Sequence, residues 1–292
     1  DNDVVSNLKF RLGYGVTGQQ DGLSNFGYFS FYNLSSAQTS YQFGDQFYQM
    51  YRPSRYIPDI RWEETTTSNL GLDFGFLDNR VSGSLDFYNK LTDDLLNLIP
   101  QPAGTNFSAT AVKNVGSMEN RGVEFNIDVN AVDKQNFSWN AGFNITYNKN
   151  EITNLTIVPN DPNYRGFPGG GISGGAGGQS AQINAVGSAK NTFSLYQQVY
   201  DQAGRPLEGV FVDQNKDGII NEFDRVKSKS ADPQVFLGFT TNVTYKRFNA
   251  GLVLRANLGN YVYNNNYSGT GTLNHITGSA VLYNPSRHYL ET

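Results

Sequence analysis

Two neighbouring runs of alternating apolar and polar residues constrain the fold of this chain more than any other feature. The runs cover residues 69–76 and 81–88, and their apolar positions are Leu70, Leu72, Phe74, Phe76, Val81, Leu85 and Phe87. A period of two is typical of a β-strand with one apolar face and one polar face. Asp78 and Asn79 lie between the runs and predict a tight turn. The stretch therefore predicts a long antiparallel hairpin.

The same alternation recurs in five further segments, which are residues 6–17, 121–132, 137–147, 235–245 and 248–257. The connections alternate in length: residues 78–80, 133–136 and 246–247 are short, whereas 18–64, 90–120, 149–233 and the stretch from 259 onward are long. Outer-membrane barrels have short periplasmic turns and long extracellular loops. A soluble sandwich, the other fold that such hairpins allow, has no reason to keep this order. The sequence therefore predicts an all-β, transmembrane antiparallel β-barrel.

Composition agrees with this prediction and excludes several other classes of protein. The 292 residues are only 38% apolar, yet they include 31 glycines, 18 tyrosines and 20 phenylalanines, as expected of a barrel with a polar lumen and aromatic girdles. The chain has no cysteine, which excludes disulfides and thiolate metal sites. A net charge of −4 without a basic cluster argues against nucleic-acid binding. Seven strands are fewer than the roughly eight of the smallest bacterial barrels, so we expect the chain to be part of a larger one.

In each strand, we expect the apolar side chains to contact outer-membrane lipid and the alternate side chains to face the lumen. The predicted lipid-facing set is Leu72, Phe74, Leu85, Phe125, Ile127, Phe143, Leu237 and Leu252. The predicted lumen-facing set is Asp73, Asp86, Glu124, Asp128, Asn144 and Arg255.

One motif in the long connection 149–233 predicts a calcium site. Residues 213–224 place oxygen-bearing side chains at the first, third, fifth and last positions, and the predicted ligands are Asp213, Asn215, Asp217, Asp224 and the backbone carbonyl of Ile219. Gly218 follows the third ligand, where Ca²⁺ loops turn sharply. We expect Ca²⁺ to stiffen this extracellular loop and to have no catalytic role. The alternative is a polar turn held by its own aspartate and asparagine side chains.

Aromatic residues in connection 18–64 are candidates for substrate binding. They are Tyr28, Tyr32, Tyr41 and Tyr48. Such rings could stack on sugars or contact a lid protein, but they could equally pack the loops against each other. No catalytic residues are predicted, since neither His275 nor His288 accompanies a nucleophile pattern.

Four segments resemble SusC/RagA-type TonB-linked outer-membrane transporters. Residues 58–65 read Pro-Asp-Ile-Arg-Trp-Glu-Glu-Thr, and residues 69–74 read Asn-Leu-Gly-Leu-Asp-Phe. Residues 85–96 read Leu-Asp-Phe-Tyr-Asn-Lys-Leu-Thr-Asp-Asp-Leu-Leu, and residues 114–124 read Asn-Val-Gly-Ser-Met-Glu-Asn-Arg-Gly-Val-Glu. These landmarks keep their order across more than half of the chain and match the C-terminal barrel region of the family.

The resemblance implies a bacterial outer-membrane barrel of about 22 strands that is filled by a plug domain and covered by a SusD-like surface lipoprotein. It also implies import of oligosaccharides or peptides with energy supplied through the TonB complex. We expect the plug, the TonB contact and the closing strands to lie outside this sequence. Two alternatives to a transporter remain. The first is a structural or adhesive outer-membrane protein with calcium-stiffened loops, and the second is an outer-membrane hydrolase.

Overall fold

Seven long strands form one antiparallel sheet in the computed structural model. The described residues are 4–23, 26, 29–102, 104, 108, 110–156, 164–172 and 180–270. We label the long strands in chain order as β1 (Val5–Gln19), β2 (Glu63–Phe76), β3 (Val81–Asp93), β4 (Ser117–Lys134), β5 (Phe137–Asn154), β6 (Val235–Tyr245) and β7 (Phe248–Leu258). Their order in the sheet is the same as in the chain, and every neighbouring pair is antiparallel.

The sheet is an open meander within the described residues. β1 and β7 are its two edges and do not pair with each other there. This agrees with the prediction of an arc of a larger barrel, and the prediction of an all-β fold is confirmed. None of the described helices is long and apolar enough to cross a membrane.

The short turns lie at one end of the sheet, between β2 and β3, β4 and β5, and β6 and β7. In the first turn, Leu77, Asp78 and Asn79 have φ angles of 54°, 56° and 58°, and the backbone N–H of Arg80 donates to the Leu77 carbonyl at 3.1 Å. Aspartate and asparagine tolerate this left-handed region better than most residues. The predicted tight turn is therefore confirmed, and the long connections all leave from the opposite end.

Register places side chains of like character in rows across the strands. One row contains Phe10, Leu72, Leu85, Phe125, Ile145 and Leu237, from β1 to β6. The next row, one residue further along, points to the other face and contains Arg11, Gly71, Asp86, Glu124 and Thr146. The two predicted sets of side chains thus lie on opposite faces, as the alternation requires.

The apolar face is not covered by any described part of the chain. Leu12 is 86% exposed, Phe10 72% and Leu254 53%. A contiguous apolar surface of this kind marks an interaction site or a membrane contact. The few buried apolar residues lie instead in the long connections or where these join the sheet; they are Ile57, Ala111, Val115, Ile152, Leu155, Ala181, Ala185 and Phe193.

The long connections contain small elements that the sequence did not predict. The first has strands Tyr32–Leu34, Tyr41–Phe43, Gln46–Tyr48 and Tyr51–Pro53 and the 3-10 helix Ala37–Thr39; the second has Leu96–Pro100 and Thr110–Asn114. The third has Phe167–Gly171, Ser180–Asn184, Thr192–Tyr196, Gln198–Tyr200, Pro206–Phe211, Arg225–Ser230 and the 3-10 helix Glu222–Asp224. One helix, Asn265–Thr270, follows β7.

The predicted boundaries of the long loops were therefore wrong. Connections 18–64 and 90–120 begin later and end earlier than predicted, because β1 runs to Gln19, β2 starts at Glu63, β3 runs to Asp93 and β4 starts at Ser117. Connection 149–233, which was predicted to be extracellular, begins only after Asn154 and ends before Val235. The physical reason is that the strands keep pairing beyond the apolar band, where their outward side chains become charged or polar and the alternation disappears.

Candidate functional site

An arginine and two aspartates form a cluster on the polar face. Arg11 on β1 donates from Nε and Nη2 to the two carboxylate oxygens of Asp73 on β2, at 2.9 Å and 2.8 Å. Its Nη2 also donates to Asp86 Oδ2 on β3, at 2.9 Å. Bidentate arginine–carboxylate pairs are among the stronger polar contacts in proteins. The cluster therefore ties three neighbouring strands together.

Gly71 provides the space that this cluster requires. It lies on β2 directly between Arg11 and Asp86 in the register. A Cβ atom on Gly71 would lie 2.5 Å from Asp86 Oδ1 and 2.7 Å from Arg11 Cζ. Only a residue without a side chain lets the guanidinium of Arg11 cross β2 to reach the third strand.

The same arrangement recurs one row higher on the polar face. Tyr88 on β3 reaches across β4, and its hydroxyl donates to Asn148 Oδ1 on β5 at 2.9 Å. The residue that it crosses is Gly122, where a Cβ atom would lie 2.3 Å from the tyrosine ring. With exposed Glu124 and Asp128 nearby, this face is a polar, hydrogen-bonding wall, as suits the lumen of a barrel.

The predicted calcium loop is folded around its aspartates. Asp213 accepts hydrogen bonds from the backbone N–H groups of Lys216 and Gly218, at 2.6 Å and 2.7 Å. Asp217 Oδ1 accepts from the Ile219 N–H at 2.8 Å, and Asn215 Nδ2 donates to Asp217 Oδ2 at 2.8 Å. The side chains at the first, third and fifth positions thus shape one turn, with Gly218 at a φ of 80°.

Asp224 closes the loop from a fully buried position. Its carboxylate accepts from the N–H groups of Asn221 and Gln214, both at 2.8 Å, and these hydrogen bonds hold its pKa below the usual value. Among the described residues, no three acidic or histidine side chains are grouped as a ready metal site. Calcium binding by Asp213, Asn215, Asp217, Ile219 and Asp224 therefore stays a prediction.

The predicted substrate-binding tyrosines fall into two hairpins. Tyr41 and Tyr48 are directly opposite each other in one small hairpin, and Tyr32 pairs with Pro53 in another. The rings of all three are exposed. Tyr28 lies outside the described residues, as do His275 and His288. Exposure is compatible both with stacking on a sugar ring and with contact to a lid protein, so substrate binding stays a prediction.

Sequence reasoning missed two features of the sheet. The first is the cluster of Arg11 with Asp73 and Asp86. Pairing the residues of the two strands outward from the predicted turn at 78–80 would have placed Asp73 beside residues 84–86. The second is a pair of cations on the apolar face, Arg121 and Lys149, which are directly opposite each other. They were missed because residues 149–154 were assigned to a loop.

Comparison with known proteins gives one consistent result. Residues 3–260 match the family model described as TonB dependent receptor-like, beta-barrel. The chain is 44% identical over 263 residues to the TonB-dependent receptor SusC of Bacteroides thetaiotaomicron, covering 90% of this chain and 26% of the relative. It is 29% identical over 280 residues to the TonB-dependent receptor P3 of Formosa agariphila, covering 90% of this chain and 27% of that protein.

The fold is shared with a solved transporter structure. The structure of the RagAB peptide transporter superposes with a TM-score of 0.68 at 22% identity, over 91% of this chain and 28% of that one. The RagAB peptide importer in its open-open state gives the same TM-score at 22% identity, over 89% of this chain and 27% of that one. The chain thus spans about a quarter of the length of the proteins that it matches.

Proposed function

Because this chain belongs to the TonB-dependent receptor-like β-barrel family, we propose that it forms part of the wall of an outer-membrane nutrient importer of the SusC/RagA type. The family resides in the bacterial outer membrane. In that setting the apolar face of the sheet contacts lipid and the polar face, with Arg11 and Glu124, lines the lumen. The imported nutrients are oligosaccharides or peptides.

One observation carries this proposal: the family match falls on a sheet built as a barrel wall. The meander of β1–β7 has short turns at one end and long connections at the other, and one of its faces has a band of exposed apolar side chains. The opposite face also contains exposed charged and amide side chains, such as Glu124 and Asn126, which require water or a polar solute. A sheet with these two faces separates lipid from an aqueous passage.

The proposed partners follow from the same assignment. A SusD-like lipoprotein would cover the extracellular mouth, and the TonB complex would act through parts of the protein outside this sequence. The exposed tyrosines of the first connection, Tyr32, Tyr41 and Tyr48, are suited to contact either the lid or the substrate. Aromatic rings supply large contact areas at low cost in conformational entropy.

Uptake measurements test the proposal directly. We expect that deleting the gene abolishes uptake of fluorescently labelled oligosaccharides or of labelled oligopeptides, that a plasmid copy restores it, and that depletion of TonB mimics the deletion. The class of probe whose uptake is lost in the deletion strain identifies the substrate class. Normal uptake of both classes in the deletion strain, together with weakened adhesion to a surface, would instead support the structural or adhesive alternative.

We also propose that the loop 213–224 binds Ca²⁺ and is stiffened by it. Asp213, Asn215 and Asp217 lie on one turn, and Asp224 is joined to that turn through the backbone of Gln214. The carboxylate oxygens accept backbone N–H donors, and each keeps further capacity to accept a contact from a hard cation. The polar turn without a cation remains the alternative.

Calorimetric titration with Ca²⁺ distinguishes these two cases. We expect the wild-type protein in detergent to bind with a Kd of about 10⁻⁴–10⁻³ M, as in extracellular calcium modules, and Asp217→Ala to lose this binding while the barrel still folds. Asp201→Ala, which removes an aspartate from a neighbouring hairpin, is the matched control and should bind as wild type does. Equal heats for wild type and Asp217→Ala would show that the motif is only a turn.

A further inference from the structure

A groove of about 920 Å³ crosses the apolar face at the end that carries the long connections. It spans five strands, from β1 to β5. The strand register shows that the outward-facing residues lining the groove form two neighbouring rows across the strands. The lower row is apolar and contains Leu12, Leu70, Phe87, Val123 and Tyr147; the upper row is polar and contains Tyr14, Ser68, Asn89, Arg121 and Lys149.

The upper row ends in two cations on adjacent strands. Arg121 and Lys149 are directly opposite each other, and their side chains are 58% and 53% exposed. Like charges that face each other across a strand pair destabilise the sheet. Each cation also pairs with a glutamate on its own strand, which offsets part of this repulsion, and an anion between the two side chains would reduce it further.

The nearest carboxylates do not occupy the space between Arg121 and Lys149 on the side of the apolar row. Arg121 Nη2 pairs with Glu119 Oε2 at 3.0 Å, and Lys149 Nζ pairs with Glu151 Oε2 at 2.8 Å. Both glutamates lie two residues further from the apolar row than their cations do. Arginine and lysine each have several N–H donors, so one carboxylate contact leaves donors for a ligand on the apolar side.

We propose that this groove binds a phosphorylated lipid of the outer leaflet. Its phosphate lies between Arg121 and Lys149, and its acyl chains lie along the apolar row that contains Phe87 and Val123. The proposal rests on the proposed function, because it takes the apolar face to be the lipid face. The groove is continuous with that face, so its occupant must be a molecule that shares the membrane.

The pairing of an apolar floor with a cationic edge selects the occupant. A free phosphate would use the two cations but would leave the apolar row bare. A neutral lipid would cover the apolar row but would offer no anion to the N–H donors of Arg121 and Lys149 that their glutamates do not use. A lipid with a phosphate at the level of the headgroups satisfies both, since cations at this depth attract anionic headgroups.

Lipid binding can be measured on the complete, purified protein that carries this sequence. The probe is monophosphorylated lipid A, titrated into the detergent-solubilised protein and detected by native mass spectrometry. The test variant is Arg121→Gln with Lys149→Gln, and we expect its affinity to fall about tenfold or more, since two charge-assisted contacts are lost. Lys9→Gln with Arg255→Gln removes two cations from the opposite face and should bind lipid A as wild type does.

Two further probes decide which part of the ligand is recognised. Dephosphorylated lipid A should bind the wild-type protein and the test variant equally weakly. Inorganic phosphate at millimolar concentration should not displace the lipid from the wild-type protein. Equal affinity of the wild-type protein for both forms of lipid A, or displacement by phosphate alone, would overturn the proposal.

Folding and transport are checked independently. Heat-modifiable migration in electrophoresis shows whether each variant forms its barrel; if the double variant does not, Lys149→Gln alone should still weaken lipid A binding several-fold. Uptake should be normal in the double variant. Loss of uptake on gene deletion tests the proposed function by itself, so a failure of that function and a failure of lipid binding give different results.

Discussion

Phe125→Arg is expected to destabilise the folded protein in a lipid bilayer by about 2–4 kcal/mol, the cost of a cation near the middle of a lipid-facing barrel surface. Phe125 lies on β4, in the apolar row between Leu85 and Ile145. A guanidinium in this row can be hydrated only by thinning the bilayer or by stretching toward the headgroups. Urea unfolding in phospholipid vesicles, followed by tryptophan fluorescence, measures the free energy of unfolding.

The adjacent residue provides a matched control. Asn126 points to the polar face, between Ser84 and Asn144 in the register, and it is exposed there. Asn126→Arg therefore adds the same charge to the same strand one residue away but leaves it in water, so it should cost less than about 1 kcal/mol. Equal destabilisation by the two variants would contradict the assignment of the two faces, and a larger effect at Asn126 would reverse it.

Much of this sheet could be predicted from alternation alone. The runs around Leu72 and Leu85 predicted two strands and a tight turn, and the structure pairs these two residues directly. Antiparallel geometry then fixes which side chains share a face, because a slip of one residue would turn every apolar side chain to the other side. The faces were predictable because membrane and lumen impose opposite polarity on successive residues.

The strand ends could not be predicted in this way. Beyond Val123 and Tyr147 the outward positions are taken by Arg121 and Lys149, and the pairing of β4 with β5 continues to Asn154. Backbone hydrogen bonds do not depend on side-chain polarity, so a strand persists where its hydrophobic signal ends. The small hairpins were missed for a related reason, since each has only a few residues and no sustained alternation.

The calcium loop and the polar cluster show two further limits. The spacing of Asp213, Asn215 and Asp217 predicted a Ca²⁺ site, with a polar turn as the alternative. The structure contains a turn built on these side chains, but spacing cannot decide whether a cation joins them. The cluster around Arg11 depends on contacts between residues that are far apart in sequence. Its members were visible as polar-face residues, yet their pairing depends on the register of three strands and on the small size of Gly71.

Gly71→Ala is expected to destabilise the protein by about 1–3 kcal/mol, the range for overpacking a filled position. The added Cβ would lie 2.5 Å from Asp86 Oδ1 and 2.7 Å from Arg11 Cζ, so the contact between these two side chains must break or the strands must move. Ordinarily, alanine is favoured over glycine in a strand by about 0.5–1 kcal/mol. Gly13→Ala on β1 serves as control, since its nearest neighbour would be Asn69 Cβ at 3.7 Å, and it should be neutral or stabilising.

A double-variant cycle shows whether the cost at Gly71 arises from the polar cluster. In an Arg11→Met background, Asp86 is no longer held by the guanidinium and can turn away from the new methyl group. Gly71→Ala should then cost clearly less than in the wild-type protein, with a coupling energy of about 0.5–3 kcal/mol, as for residues in direct contact. Additive effects of the two substitutions would mean that Gly71 is required by the backbone of β2 itself. A measurable coupling would identify Gly71 as the position that lets one arginine join three strands of the barrel wall.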